Sequence, residues 1–209
     1  MRMKQVTSKK ILDAALAEVG TVEDPAGSNR CKYNRWMWGK DVAGQAYPWC
    51  CAFISWLFRD CQELCKKTAS CEELLRWFEN RGQLVKNPQP GDICFMKFST
   101  NNRRTNHVGI VLEIRFDGAL VLIEGNTSTE SSDNGGKVMR RIRKAHVVAL
   151  ARPKYSGQQE LKDPKEIAEE VIAGKWGNGD ERKKKLRNAG YDPKEIQMFV
   201  NEILLNTEL

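Results

Sequence analysis

The chain has 209 residues, of which 41% are hydrophobic and 29% charged. That is enough to bury a real core, so a miniature held together only by disulfides is excluded. The longest apolar runs, such as Ala119 to Ile123, fall far short of the roughly 18 to 20 residues that cross a bilayer, so no membrane insertion is expected.

The net charge of +7 is unevenly spread. Residues 1–155 carry 25 Lys+Arg against 16 Asp+Glu, a net of +9, whereas residues 156–209 carry 9 against 11, a net of −2. A basic first part suits an anionic partner such as nucleic acid, anionic lipid or cell-wall polymer, or is only a solvated surface. No helix-turn-helix, zinc finger or RNA-binding sheet motif is present, so no nucleic-acid partner is expected. The stretch from Met1 to Lys10 has no apolar core followed by a small-residue cleavage site. No secretory signal is read there, and the chain is expected to be made in a cytoplasm. Seven cysteines (Cys31, Cys50, Cys51, Cys61, Cys65, Cys71 and Cys94) make an odd number, which argues for reduced thiols. Cys31, Cys61, Cys65 and Cys71 lack the paired spacing of a zinc site, and buried structural cysteines are the simpler reading for most of them.

In chain order, Ile11, Leu12, Ala15, Leu16 and Val19 repeat at helical spacing, and Gly20 ends that helix. Residues 21–48, rich in Gly, Pro, Asn and Asp but holding Tyr33, Trp36, Trp38 and Tyr47, read as a long ordered loop. A second helix is expected over about 50–66, and a third after Ser70, which can cap a first turn bearing Glu72 and Glu73. Pro88, Pro90, Gly91 and Asp92 then mark a turn. Ile93–Phe98, Val108–Ile114, Leu120–Glu124, Val138–Ile142 and Val147–Ala151 follow as antiparallel strands. Helices first and strands afterwards is an α+β layout. Tyr155 to Asp163 reads as a linker. Three short helices close the chain; Asp163-Pro164 opens the first and Asp192-Pro193 the third, where Asp caps free N–H groups and Pro is pre-set for the first turn.

The segment Pro48-Trp49-Cys50-Cys51-Ala52-Phe53-Ile54-Ser55-Trp56 places a cysteine where a loop enters a helix. Partial positive charge at a helix N-terminus favours a thiolate. On that argument alone Cys50 or Cys51 could be a nucleophile, or both could be core residues. A thiol nucleophile needs a base, and the chain holds only two histidines. His107 opens the run His107-Val108-Gly109-Ile110-Val111, at a strand start. His146 lies in a basic stretch with no polar neighbour. Ile123-Glu124-Gly125-Asn126-Thr127 ends a strand in a carboxylate and an amide, groups able to orient an imidazole.

Together, Trp49–Trp56, Pro90–Asp92, Asn106–Val111 and Ile123–Thr127 resemble, in order, the motifs of the CHAP family (cysteine, histidine-dependent amidohydrolase/peptidase), across most of residues 10–152. Pro25, Gly27-Ser28-Asn29, Lys32-Tyr33 and Trp36 resemble the loop before the cysteine in phage-type members. The resemblance implies a papain-like fold and cleavage of peptidoglycan amide bonds. It carries the nucleophile onto Cys50, the base onto His107 and the orienting group onto Glu124, with Asn126 assisting. Cys50 has the family's spacing to Phe53 and Trp56, while Cys51 falls where relatives usually carry a small residue. The Cys50 backbone N–H and, as a weaker candidate, Gln45 would form the oxyanion hole. Some relatives bind calcium near the cysteine; Asp41 is the only acid in residues 30–50, so no metal and no cofactor are expected.

Residues 163–205, with Ile167-Ala168, Glu170-Val171-Ile172-Ala173-Gly174-Lys175-Trp176-Gly177-Asn178-Gly179, Arg182, Leu186, Ala189-Gly190-Tyr191 and Val200-Asn201, resemble the CW_7 cell-wall-binding repeat. That implies a three-helix module recognising the muropeptide, with Trp176, Gly177, Asn178, Gly179 and Arg182 as candidate contacts. Trp176 could stack on a sugar or anchor the core, and Arg182 could pair with a carboxylate. The expected organisation is a CHAP domain over 1–154, a linker over 155–162 and the repeat over 163–209. The implied protein is a phage endolysin, held in the host cytoplasm and acting on the bacterial wall after release. N-acetylmuramoyl-L-alanine amidase activity is expected, with stem or cross-bridge endopeptidase as the alternative. A protein-directed cysteine protease and a non-catalytic wall-binding protein are the readings from other classes. One small module binds weakly, so self-association is expected to raise effective concentration.

Overall fold

The computed structural model describes residues 6–100, 102–157 and 162–207. Helix α1, Ser8–Ala17, is capped by the Thr7 hydroxyl, which accepts from the Lys10 N–H, and it buries Ile11, Leu12 and Ala15. The segment expected to be loop throughout contains a helix, α2, Lys32–Trp38, ended by Gly39 in the left-handed conformation at φ 68°. Only seven residues long and without a side-chain cap, α2 is held by packing: Tyr33 stacks on Trp49 at 5.2 Å and meets Phe53 and Trp56 edge-on. Helix α3, Cys50–Leu57, is shorter than the expected 50–66. The chain turns back after it because the Ser55 hydroxyl donates to the Thr68 carbonyl at 2.8 Å and accepts from the Thr68 N–H at 3.1 Å. Helix α4, Cys71–Glu79, starts as expected, with the Ser70 hydroxyl accepting from the Glu73 N–H.

Strands β1 (Leu84–Val85), β2 (Ile93–Met96), β3 (His107–Ile114), β4 (Leu120–Thr127), β5 (Lys137–Arg143) and β6 (Val147–Ala151) form one antiparallel sheet in the order β1-β6-β2-β3-β4-β5. The two-residue β1 carries no period to read, and β4 runs on past Glu124 to Thr127. Side chains alternate across the sheet. Val108, Ile110 and Ile123 face the helices with Phe53 and Phe78, while Met96, Val111 and Leu122 make a second cluster on the other face. This is the expected α+β architecture, helices packed on an antiparallel sheet.

The Pro90-Gly91-Asp92 turn locks the sheet to the end of this unit. Gly91 has φ 96°, and a Cβ there would lie 2.7 Å from Ser8 Cβ, so only glycine fits. Asp92, 1% exposed, accepts two 2.8 Å bonds from the Arg152 guanidinium and one from the Gln89 N–H. Tyr155 is buried, stacks on Phe58 and donates to the Gly91 carbonyl at 2.8 Å. The expected linker therefore begins too early at residue 155: Tyr155 belongs to the first core, and Ser156 is hydrogen-bonded to Val6. Its positions 158–161 lie outside the described residues.

The C-terminal part is the expected three-helix bundle: α5, Pro164–Ile172; α6, Gly179–Asn188; and α7, Pro193–Thr207. Asp163 and Asp192 accept from the N–H groups of Lys165 and Lys194, as the Asp-Pro starts require. Ile167, Ala168, Val171, Leu186, Tyr191, Ile196 and Val200 form its own core. Helix α6 sits on the β3–β4 hairpin: Asn188 accepts from the Ile114 N–H, Arg187 donates to the Phe116 carbonyl, and Lys184 pairs with Glu113 at 2.8 Å. Among the described residues no helix is long and apolar enough to cross a membrane.

Breaking a buried ion pair strands its partner, at a cost of about 3 to 5 kcal/mol. Asp92→Ala is accordingly expected to lower the unfolding free energy by an amount of that order, seen as a lower urea midpoint at an unchanged slope, and a midpoint equal to that of the unaltered chain would contradict this account of the turn.

Candidate active site

His107 and Glu124 are completely buried, and His107 Nε2 lies 2.9 Å from Glu124 Oε2. Glycine makes this possible. Gly109 pairs directly with Glu124 across β3 and β4, and a Cβ on Gly109 would lie 2.8 Å from Glu124 Cγ. The carboxylate side chain occupies the space a larger residue would take, and so reaches the ring two residues along the same face of β3. Arg143 on β5 completes the group, with Nε 2.8 Å from Glu124 Oε1 and Nη2 2.6 Å from Oε2. Its guanidinium also lies over the Phe98 ring at 4.8 Å. Arg143 and His107, through hydrogen bonds and charge, hold the Glu124 carboxyl below the usual range against the opposing effect of burial. Sequence reasoning missed Arg143: it is in register with Leu120, four residues from Glu124, and only its reach along the sheet brings it there.

A carboxylate on Nε2 fixes the ring tautomer. Nε2 carries the hydrogen that Glu124 accepts, which leaves Nδ1 as the basic nitrogen. Nδ1 is buried and has no hydrogen-bond partner. Cys50, the first residue of α3, brings its sulfur to this end of the sheet, 4.0 Å from the carbonyl oxygen of Asn106, the residue before the histidine. The two side chains act on each other's ionisation. Burial pulls His107 down, but Cys50 and then Glu124 outweigh it and raise the ring to about 9. The Cys71 sulfur, 3.6 Å from that of Cys50, and burial push the Cys50 thiol well up, while His107 pulls it down.

Several further residues place Cys50. Gly125 lets α3 press onto β4, since a Cβ there would lie 2.7 Å from Phe53 Cβ. Trp49 is buried, and its indole N–H donates to Glu23. Glu23 also accepts from the N–H groups of Gly27 and Asn29 at 2.7 Å. It ties the whole preceding loop to the start of α3. Nothing in its local sequence marks Glu23, since its partners lie up to 26 residues away. No side chain caps α3, which leaves the N–H groups of its first turn without a side-chain acceptor. The cleft holds about 340 Å³ and is lined by Cys50, Cys71, Trp38, Tyr47, Glu72 and Arg103, among others. Trp38 stands edge-on to Tyr47 at 5.5 Å.

Two expected site residues lie elsewhere. Asn126, fully buried at φ 55°, spends its side chain on Asn134 and the Gly136 N–H, and its carbonyl accepts from Gly135. It shapes the loop after β4 and does not assist the ring. Gln45 accepts from Asn134 and does not line the cleft. Cys51 points into the core, and burial pushes its thiol up. Asp41 is paired with Arg35 and Arg30, and among the described residues no cluster of three or more His, Cys, Asp or Glu is placed to hold a metal. In the bundle, Trp176 is half-buried on the core, donates to Glu170 at 2.9 Å and meets Tyr191 edge-on. Gly177 and Asn178 follow it in the break before α6, and Gly179 is the first residue of that helix. Arg182 lies apart from them, in a hollow of about 700 Å³ between α6 and α7, and donates to Gln197. The candidate wall-binding set is therefore divided between two places.

Residues 42–126 match the CHAP domain family and residues 165–204 match the CW_7 repeat. The two matches lie in the expected order, the first within the α+β unit and the second within the C-terminal bundle. It is 53% identical over 48 residues, 23% of its own length and 14% of the other, to the protein named Lysozyme of Streptococcus phage Cp-7. The chain therefore spans a small part of that relative. A solved structure, described as the crystal structure of Ly7917, aligns with 70% of this chain and 62% of its own at 19% identity and a TM-score of 0.43.

Replacing Cys50 by alanine removes the largest of the influences that raise the ring. In Cys50→Ala the His107 imidazole is expected to titrate well below 9, toward its ordinary 6.5. With two histidines in the chain, NMR resolves this directly, and an unchanged titration would contradict the placement of the thiol beside the ring.

Proposed function

We propose that the chain is a peptidoglycan hydrolase of the phage endolysin type, with Cys50 as nucleophile, His107 as base and Glu124 as the group that orients it. One observation carries this reading: the buried Arg143–Glu124–His107 chain of contacts turns a basic nitrogen away from Glu124, at the end of the sheet where Cys50 opens a cleft. The CHAP and CW_7 matches support bacterial peptidoglycan as the substrate class, and its muropeptide unit is the proposed ligand.

In the proposed reaction His107 Nδ1 takes the Cys50 thiol proton, and the sulfur attacks the amide carbonyl carbon. The Cys50 N–H, free of any side-chain cap, stabilises the oxyanion. The imidazolium returns its proton to the leaving amine, and a thioester remains. Water, deprotonated by His107, then hydrolyses the thioester and the sulfur recovers its proton. Throughout, Glu124 stabilises the charged ring, and Arg143 keeps Glu124 ionised in a site without solvent. The bond cleaved is proposed to be that between muramic acid and L-alanine. The basic first part, net +9 over residues 1–155, suits a wall rich in anionic polymer. In the bundle, Arg182 in its hollow is the better placed contact for a muropeptide carboxylate, and Trp176 serves the core.

Cys50→Ala is expected to lower turbidity clearance of susceptible sacculi by at least about a thousandfold, as loss of a nucleophile does, while Cys51→Ala keeps it. Full clearance by Cys50→Ala would overturn the assignment. Mass spectrometry of the digest, with amine labelling of new termini, reads the bond: free L-alanine amines support the amidase, and new amines within the stem or bridge make the enzyme an endopeptidase.

A further inference from the structure

The cleft holds a second thiol that the proposed reaction does not use. Cys50 is the first residue of α3 and Cys71 the first residue of α4, so two helix N-termini converge on one point. Their sulfurs lie 3.6 Å apart and both line the cleft. The pair is held in place: Phe53 anchors α3 against Gly125, and Leu74, Leu75 and Phe78 bury α4. A disulfide needs the sulfurs about 2.05 Å apart, so closing the pair requires the two sulfurs to approach from 3.6 Å. Cys61, Cys65 and Cys94 are also buried but do not line the cleft.

We propose that Cys50 and Cys71 are a redox-modification site, closed by peroxide into a disulfide that masks the nucleophile and reopened by thiols. This rests on the reading of Cys50 as the nucleophile. Of the two thiols only Cys50 has a base beside it, so Cys50 reacts first. His107 takes the thiol proton, and the thiolate attacks one oxygen of hydrogen peroxide. The O–O bond breaks, hydroxide leaves and takes up the proton from His107, and Cys50 becomes a sulfenic acid. Cys71 then attacks that sulfur, the S–O bond breaks, and the hydroxyl leaves as water with the Cys71 proton. Two thiols and one peroxide yield one disulfide and two waters. A dithiol such as dithiothreitol reverses the closure by thiol exchange and is itself oxidised to a disulfide. The neighbouring Cys71 thus diverts Cys50 from over-oxidation to sulfinic acid, from which thiols bring no return.

The test uses the full chain, reduced, exposed to hydrogen peroxide, blocked with N-ethylmaleimide and digested with trypsin without reductant. The expected product joins the peptides 41–59 and 68–76, with fragmentation placing the link at Cys50. Wall lysis is expected to fall at least tenfold and to return with dithiothreitol. In Cys71→Ser, measured against its own untreated activity and exposed to enough peroxide to carry Cys50 past the sulfenic acid, the treated protein is expected not to recover, whereas Cys94→Ser under the same exposure recovers as the unaltered chain does. No cross-link, a link through Cys51, or full recovery in Cys71→Ser overturns the proposal. Loss of lysis without a cross-link overturns the switch and leaves Cys50 as nucleophile. A cross-link without loss of lysis overturns both.

Discussion

The structure depends on one buried carboxylate. Removing a charge from water is tolerated only with full pairing, and Glu124 has it: two bonds from Arg143 and one contact with His107. Each partner depends on the others. Without Arg143 the carboxyl would be driven toward its neutral form by burial. Without an ionised Glu124 the ring would lose the acceptor that fixes its tautomer. The sheet accommodates the group through what it omits at Gly109, where a single methyl would collide with Glu124. The same economy recurs at Gly125 for α3, at Gly91 for α1 and at Gly136, where a Cβ would meet the Glu23 carboxylate.

A second constraint is the docking of α3. Its apolar residues leave it little freedom: Cys50 through Ser55 and Leu57 are buried. The helix is clamped between β3, β4 and α2, and its start is held through Trp49 and Glu23. Packing on three sides holds Cys50 in one place, which is the preorganisation the proposed chemistry requires. The bundle is attached to this frame through polar contacts of α6 with the β3–β4 hairpin. Such contacts are weaker than a shared apolar core, and each unit keeps its own.

Much of this was legible in the sequence because the signals are local. The Ser70 cap, the Asp-Pro starts and the alternating strands are each written within a few residues, and all appear. The motifs also singled out His107 and Glu124, which the structure brings into contact. What the sequence hid is long-range. Arg143 reaches Glu124 across register, Glu23 gathers three donors from a loop and a helix, and the turn back after Leu57 is fixed by Ser55 holding Thr68. Helix α2 has too few residues for a period and stands on aromatic contacts made elsewhere. Asn126 was misjudged for the opposite reason: its position beside the motif suggested the ring, but its positive φ and its bonds to 134–136 turn it toward the loop. Trp176, equally open between ligand and core, meets Tyr191 edge-on and donates to Glu170.

The central claim is that the Glu124 charge, acting through the ring, activates the Cys50 sulfur. The rate at which iodoacetamide alkylates Cys50 near pH 7, followed by peptide mapping, measures thiolate reactivity without any substrate. In Glu124→Gln, which keeps the shape and removes the charge, and equally in His107→Gln, the rate should fall at least about tenfold, the response to losing about 1.4 kcal/mol of thiolate stabilisation. Alkylation at the same rate in all three proteins would show that the thiol owes nothing to the ring or to the carboxylate behind it.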